Sequence, residues 1–389
     1  MTIPAPSHDG TDAQQRAMNA LLTERIAAGD GFLPFADYVE LALYAPQLGY
    51  YSGGARKFGA GGDFTTAPEH SPLFAVCLAQ QCAPILSSIG EAELLELGAG
   101  SGRLACDLLV ALAERDALPA RYRILEISAD LRMRQQQAVA RLPAELAARV
   151  QWLDALPEAD WRGVLLANEV LDALPFERVC FGERGAIAEL GVRQTQGRLA
   201  WATRPAPQRL ADEARRVASG LPDWPAPGYT SELCLRLLPW LAAVTAKLSQ
   251  GVALFIDYGL PRAQYYHPQR DHGTLRCHHR QRAHDDPFLL PGLQDITAWV
   301  DFTRVAEAGD AAGLELLGFA TQAAFLLANG LESLVVAVDD DLERARRASQ
   351  ARMLLMPDRM GESFKVMALG RDWHEALTGF ALQDLSNSL

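Results

Sequence analysis

With 389 residues the chain is too long for one small domain, and it suits one large decorated domain or two ordinary ones. Apolar residues make up 49% and charged residues 22%, enough for a substantial core and against global disorder. The formal net charge of −12 argues against a dedicated nucleic-acid binder, whose footprint is basic, and leaves small molecules, basic peptides and other proteins as partners.

Along the chain, the first dozen residues read as a frayed tail, and 13–43 carry two helical patterns, the second beginning after Pro34. Residues 49–71 are Gly-rich and predict a loop, whose aromatics (Tyr50, Tyr51, Phe58, Phe64) imply packing. A helix follows from Ser71. From 93 a strand–helix alternation begins: a short apolar strand over 93–97, an amphipathic helix over 102–116, a strand over 121–127, and a helix capped by Ser128. Further strands are predicted over 149–154, 163–170 and 251–259, the last preceded by a helix over 231–250. Strands this apolar, separated by helices, predict a parallel sheet buried on both faces. Two insertions break the alternation: short β-like runs over 177–204, and a polar His- and Arg-rich stretch over 260–313 that turns helical. The C-terminal part predicts a strand over 314–321, a helix over 340–355 and a last strand over 363–369, read as an antiparallel edge.

The six Cys (77, 82, 106, 180, 234, 277) form no CxxC pair, so neither a zinc ribbon nor a redox dithiol is expected, and a cytoplasmic protein with reduced thiols is. The opening residues show no secretory pattern, and no run of about 18 apolar residues predicts a membrane span.

Chemistry concentrates first at Glu96, Gly98, Gly100 and Gly102, where a strand runs into a GxGxG turn and then a helix. Glycines let such a turn bend sharply and approach a ligand closely. The dinucleotide fingerprint would need Gly at 103, where Arg103 stands. An acidic residue followed by GxGxG resembles motif I of class I S-adenosylmethionine-dependent methyltransferases, in which the turn cradles the amino-acid end of the cofactor. The alternative is an ordinary Gly-rich strand–helix turn. Three further strand ends are polar. Glu126 can accept both ribose hydroxyls, Asp154 with the Ala155 N–H can read adenine, and Asn168-Glu169 ends the fourth strand. Polar strand ends along one edge of a parallel sheet mark where α/β ligands sit.

Five blocks together resemble the MidA-like methyltransferase family over roughly residues 33 to 370: GYYSGGARKFGAGGDFTTAPEHSPLF, LANEVLDALPFERV, FIDYG, HGTL and PGLQDITAWVDFT. The resemblance implies an α/β, Rossmann-like class I fold: a mostly parallel seven-stranded sheet with an antiparallel edge strand. It implies a helical and Gly-rich extension over 1–90 that caps the cofactor, and a methyltransferase domain over 91–389 with insertions at 177–230 and 260–313. S-adenosyl-L-methionine is the implied cofactor, and an arginine of a partner protein the implied substrate. The family's mitochondrial member acts in respiratory complex I assembly, so a respiratory complex subunit is the implied partner class. Thr65, Thr66 and Pro68 belong to the capping loop, whose hydroxyls and carboxylates would bind the methionyl end; Glu69 either joins them or caps the next helix.

An arginine substrate sets chemical demands. Its guanidinium stays protonated at neutral pH and is a poor nucleophile until carboxylates bind it and a base takes its proton. Glu169 and Asp172 follow the fourth strand, three apart and on one face if the turn is helical. Glu169 is assigned to the guanidinium, Asp172 as its partner, and Asn168 to cofactor or substrate; Asp172 reads equally as an N-cap or loop anchor. Tyr258, at the end of the strand over 251–259, either walls the substrate channel or packs on the sheet. The stretch 262–284 holds five Arg (262, 270, 276, 280, 282) and five His (267, 272, 278, 279, 284) against Asp271 alone. Its spacing fits no zinc pattern and no metal is expected; it is either a flap that binds substrate or a surface loop held against acidic elements. Two other functional readings share these motifs: an assembly chaperone that keeps the fold without catalysis, and a small-molecule methyltransferase. No Asp/Asn-Pro-Pro-aromatic block follows the fourth strand, which disfavours a nucleic-acid substrate.

Overall fold

The computed structural model describes residues 9–53, 66–357 and 359–389. They fall into two compact units, each assembled from three stretches of chain. One comprises the described residues of Thr65–Asp172, Leu237–Arg262 and Val300–Leu389; the other comprises the described residues of Met1–Phe64 with Ala173–Arg236 and Ala263–Trp299.

The first unit is built on one large sheet. Its strands are β1 (Glu93–Leu97), β2 (Arg121–Leu125), β3 (Val150–Leu153), β4 (Trp161–Asn168), β5 (Leu248–Leu260), β6 (Glu315–Thr321) and β7 (Phe364–Arg371), in the spatial order β6-β7-β5-β4-β1-β2-β3. The five strands from β5 to β3 are mutually parallel. Their apolar runs are buried as a parallel sheet requires: Val164, Leu165 and Leu166 of β4 and Val252–Phe255 of β5 have no exposed surface. The antiparallel strand is β7, as the sequence predicts, but it is not the edge. It pairs with β5 on one side and β6 on the other, so β6 is the edge. A two-residue strand, Val300–Asp301, adds to the end of β5. Parallel crossovers are made by helices including Arg103–Ala113 and Ala129–Val139, the latter capped by Ser128, whose Oγ accepts the Leu131 N–H.

The second unit holds an antiparallel sheet made of Leu33–Pro34, Glu177–Phe181, Ile187–Thr195, Arg198–Pro205 and Thr230–Leu233, which includes the antiparallel runs expected over 177–204. It also holds a small sheet of Arg276–His279, Arg282–His284 and Asp295–Thr297. Its core is aromatic: Phe35 packs on Tyr38, Phe176 and Trp201, and Tyr38 meets Phe288 edge-on.

Two helix expectations change. The helix expected over 231–250 is only Leu237–Thr245, because Thr230–Leu233 pairs with Glu177–Cys180 and Leu248 already belongs to β5. The N-terminal helix begins at Asp9, inside the stretch read as a tail. Among the described residues no helix is long and apolar enough to cross a membrane.

Candidate functional site

Apart from the basic stretch, the described site candidates lie in the unit of the large sheet, most of them at the C-terminal ends of β1 to β5 and Thr66 and Pro68 ahead of β1.

After β1 the backbone enters the left-handed region at Gly98 (φ 64°), Gly100 (φ 54°) and Gly102 (φ 83°). A side chain at such positions is strained, which accounts for alternate glycines. The Gly98 N–H donates to the Leu125 carbonyl at 3.0 Å, holding the turn against β2, and Gly102 opens the helix Arg103–Ala113. Glu96 lies deeper than a strand-end reading suggests. It is buried within β1 and accepts the Tyr122 hydroxyl at 2.8 Å. Burial drives its carboxyl up to about 7, the Tyr122 hydrogen bond opposes this, and the nearby charge of Glu126 adds to it.

Glu126 follows β2 and is buried, with Oε1 accepting the Ser128 N–H and Oε2 accepting the Gln135 side-chain amide, each at 2.9 Å. Asp154 follows β3 as expected but is open: its carboxylate is 87% exposed and pairs with Arg132. Ala155 beside it is also exposed. Ile127, next to Glu126, is 69% exposed, a large apolar face beside a polar acceptor.

At the end of β4, Asn168 donates from Nδ2 to Glu169 Oε1 at 3.4 Å, while its buried Oδ1 meets no donor among the described residues. The segment that follows is not the helical turn that would put Glu169 and Asp172 on one face. Glu169 is left-handed (φ 54°), and its N–H donates to the Ile256 carbonyl of β5 at 2.8 Å. No helix starts at Asp172, so the N-cap alternative falls. Instead Asp257 of β5 organises the loop. Its Oδ2 accepts the N–H groups of Leu171 (2.9 Å) and Asp172 (3.2 Å), and its Oδ1 accepts the Tyr258 N–H at 2.9 Å. The Tyr258 hydroxyl donates to Asp172 Oδ2. Asp257 is fully buried and its carboxyl is raised well above the ordinary range, by burial first and then by the charges of Asp172 and Glu169. Three carboxyl groups are thus gathered at the ends of β4 and β5.

Thr65 lies outside the described residues. Thr66 precedes the one-turn helix Ala67–His70 without a side-chain capping bond, and Pro68 is buried in that turn. Glu69 does not cap the next helix, which Ser71 caps through its Oγ; Glu69 accepts the Ser101 hydroxyl of the glycine turn instead. Gln135 and the anchoring role of Asp257 are additions that the structure makes. An acid at the end of β5 was a visible signal for the second; Gln135, in mid-helix, gave none.

The basic stretch divides. Arg262 is a structural pin, its guanidinium spanning both oxygens of Glu307 (2.6 and 2.7 Å) and reaching Asp301. In the other unit Arg276 pairs with Asp285, and Arg270 lies over the Trp299 ring at 5.4 Å. Among the described residues no three His, Cys, Asp or Glu side chains gather as a metal site requires.

These groups can hold a nucleoside bearing an amino acid: a buried carboxylate able to accept sugar hydroxyls, a glycine turn whose backbone can approach a ligand closely, and an unmatched buried acceptor at Asn168. Comparison with known proteins agrees with that chemistry. Residues 77–320 match the family Methyltransf_28, described as "Putative S-adenosyl-L-methionine-dependent methyltransferase". The chain is 27% identical to a Danio rerio protein named "Protein arginine methyltransferase NDUFAF7, mitochondrial", over 90% of this chain and 85% of the relative. It is 28% identical to the Drosophila melanogaster homolog of that name, over 94% and 86%. Among solved structures it is similar, at 43% identity and a TM-score of 0.93 over the whole of both chains, to a COG1565 superfamily member from Burkholderia thailandensis bound to S-adenosyl-homocysteine.

Proposed function

The chain belongs to this family of S-adenosyl-L-methionine-dependent methyltransferases, and from that premise we propose that it methylates an arginine side chain of a partner protein. The observation that carries the arginine reading is the group of carboxyls formed by Glu169, Asp172 and Asp257 at the ends of β4 and β5. The names of the metazoan relatives support it. The family resemblance of the sequence motifs puts forward a respiratory complex subunit as the partner, and the unpaired cysteines put forward the cytoplasm as the compartment.

When bound, S-adenosyl-L-methionine supplies an electrophilic methyl group on a sulfonium. The residues of the chain divide the rest. Glu126, held by the Ser128 and Gln135 donors, would accept the ribose hydroxyls, Ile127 would offer apolar surface to the adenine ring, and Asp154 with the Ala155 N–H would take its polar edge. Gly98, Gly100 and Gly102 would admit the methionyl end, Thr66 and Pro68 of the capping loop would bind it, and Glu96 supports the turn from within β1. Asn168 accepts through Oδ1 from cofactor or substrate. Glu169 and Asp172 accept the guanidinium N–H groups, orient one nitrogen and localise its lone pair. The proton given up by the substituted guanidinium passes to Asp172 Oδ2, which Tyr258 already serves with a hydrogen bond.

Mass spectrometry of methylarginines in a deletion strain tests the reading. A methylarginine should disappear from one protein, return with the wild-type gene and stay absent with Glu169→Gln. A methylarginine profile identical with and without the gene would refute arginine as the substrate.

A further inference from the structure

One residue that bonds to several of these groups lies on none of the strand ends. Gln135 is in the helix Ala129–Val139 and has no exposed surface. Its amide nitrogen donates to the Gly100 carbonyl at 3.0 Å and to Glu126 Oε2 at 2.9 Å. Its amide oxygen accepts the Trp152 indole N–H at 3.0 Å. A primary amide has two N–H donors and one carbonyl, so both donors are committed and the orientation is fixed. Turned over, the amide would set its oxygen against two acceptors and its NH2 group against an indole N–H. The three partners come from three places: the glycine turn after β1, the end of β2, and β3. The Ser128 N–H holds the other Glu126 oxygen, so the carboxylate is gripped from both sides.

The third glycine of the turn makes room for this arrangement. A Cβ at Gly102 would lie 3.0 Å from Gln135 Cα and 3.2 Å from its Cγ, in addition to the strain of φ 83°. The glycine therefore serves the packing of Gln135 as well as the turn.

We propose that Gln135 is the positioning residue of the cofactor site, fixing the Glu126 carboxylate relative to the glycine turn so that the sugar and amino-acid ends of the cofactor are recognised as one unit. The proposal rests on the assignment of Glu126 to the ribose. A carboxylate free to turn meets the ribose hydroxyls in poor geometry, and the discrimination they provide is lost.

The test is calorimetry on the full chain with two probes, S-adenosyl-homocysteine and its 2′-deoxyribose analogue. Losing one hydrogen bond to a charged group should cost the wild type about 20-fold in affinity for the analogue. In Gln135→Leu and in Glu126→Gln that preference should collapse to about 3-fold or less, and combining the two should weaken S-adenosyl-homocysteine binding little beyond Glu126→Gln alone, since both act through one carboxylate. Should Gln135→Leu not fold, the isosteric Gln135→Glu, which replaces the donors with acceptors, is read by the same ratio. A merely structural role would weaken both probes alike and leave the ratio at its wild-type value. That result in the Gln135 variants, with the ratio collapsed in Glu126→Gln, overturns the proposal while leaving Glu126 in place. A preference kept in Glu126→Gln, or absent from the wild type, overturns the ribose assignment and this proposal with it.

Discussion

At the scale of single residues, Glu96 shows how a motif position can be read correctly and its environment missed. Its place two residues before Gly98 is visible in the sequence; that Tyr122 closes over it is not, because the two are 26 residues apart. Burial lifts its carboxyl from 4.5 to about 7, so the native chain binds that proton more tightly than the unfolded one. Stability from this group is therefore complete below pH 4.5 and is lost as the pH rises through about 7. At 1.36 kcal/mol per unit the loss is on the order of 3 kcal/mol. Glu96→Gln keeps an acceptor for Tyr122 and removes the charge. Between pH 5 and pH 8 it should gain about 2–3 kcal/mol on the wild type in urea unfolding. A pH-independent difference would contradict the buried, proton-binding carboxyl. Gly102→Ala should act differently. It places a Cβ at φ 83° against Gln135, so S-adenosyl-homocysteine affinity should fall by about 10-fold or more. Calorimetry showing wild-type affinity would mean that the turn relaxes freely. That the glycines and Glu126 stand at strand ends could be read from sequence, because strand ends follow a local rule. Gln135 could not, since its partners lie 9, 17 and 35 residues away.

At the scale of elements, the segment after β4 separates pattern from packing. Spacing of three suggests a helical turn for Glu169 and Asp172, yet Asp257 captures the Leu171 and Asp172 N–H groups and competes with that conformation. A neighbouring strand supplies that competition, which no local pattern records. Asp257→Asn cannot accept on both sides, because its NH2 group must face one set of donors. Amide hydrogen exchange at Leu171 and Asp172, or at Tyr258, should then quicken by about 10- to 100-fold, the equivalent of roughly one or two hydrogen bonds. Unchanged exchange at all three would remove Asp257 as the anchor. The strand at Thr230–Leu233 carries the same lesson. Its sequence reads on into the helix that follows, and pairing with Glu177–Cys180 decides otherwise. Arg262 is a further case: counted by composition it belongs to a basic flap, while its fork on Glu307 and its contact with the buried Asp301 make it a fastener. Arg262→Ala strands Asp301 without its main cationic partner and should destabilise the chain by about 3 kcal/mol in urea unfolding. A loss below about 0.5 kcal/mol would class it with exposed pairs.

For the whole molecule, the sheet could be read and the partition of the chain could not. The alternation of apolar strands and helices specifies a parallel sheet because each strand must bury both faces. The second unit depends on pairings such as Leu33 with Val192, between segments that no periodicity connects. That partition makes a distinct prediction. Every described residue assigned to the cofactor belongs to the unit of the large sheet. A ligand that binds only the native state adds RT ln(1 + [L]/Kd), about 2.7 kcal/mol at a hundredfold excess over Kd. Slowed exchange under S-adenosyl-homocysteine should therefore appear at 98–102, 126–135 and 168–172. Segments of the antiparallel unit, such as Ile187–Thr195 and the hairpin over 276–284, should exchange as before. Equal slowing in both units would mean that they open as a single cooperative body. Slowing at the hairpin alone would move the ligand to the basic stretch and away from the glycine turn. Only protection centred on Gly98–Gly102 and Glu126 agrees with a site built from the ends of parallel strands, where the backbone turns and the buried carboxylates coincide.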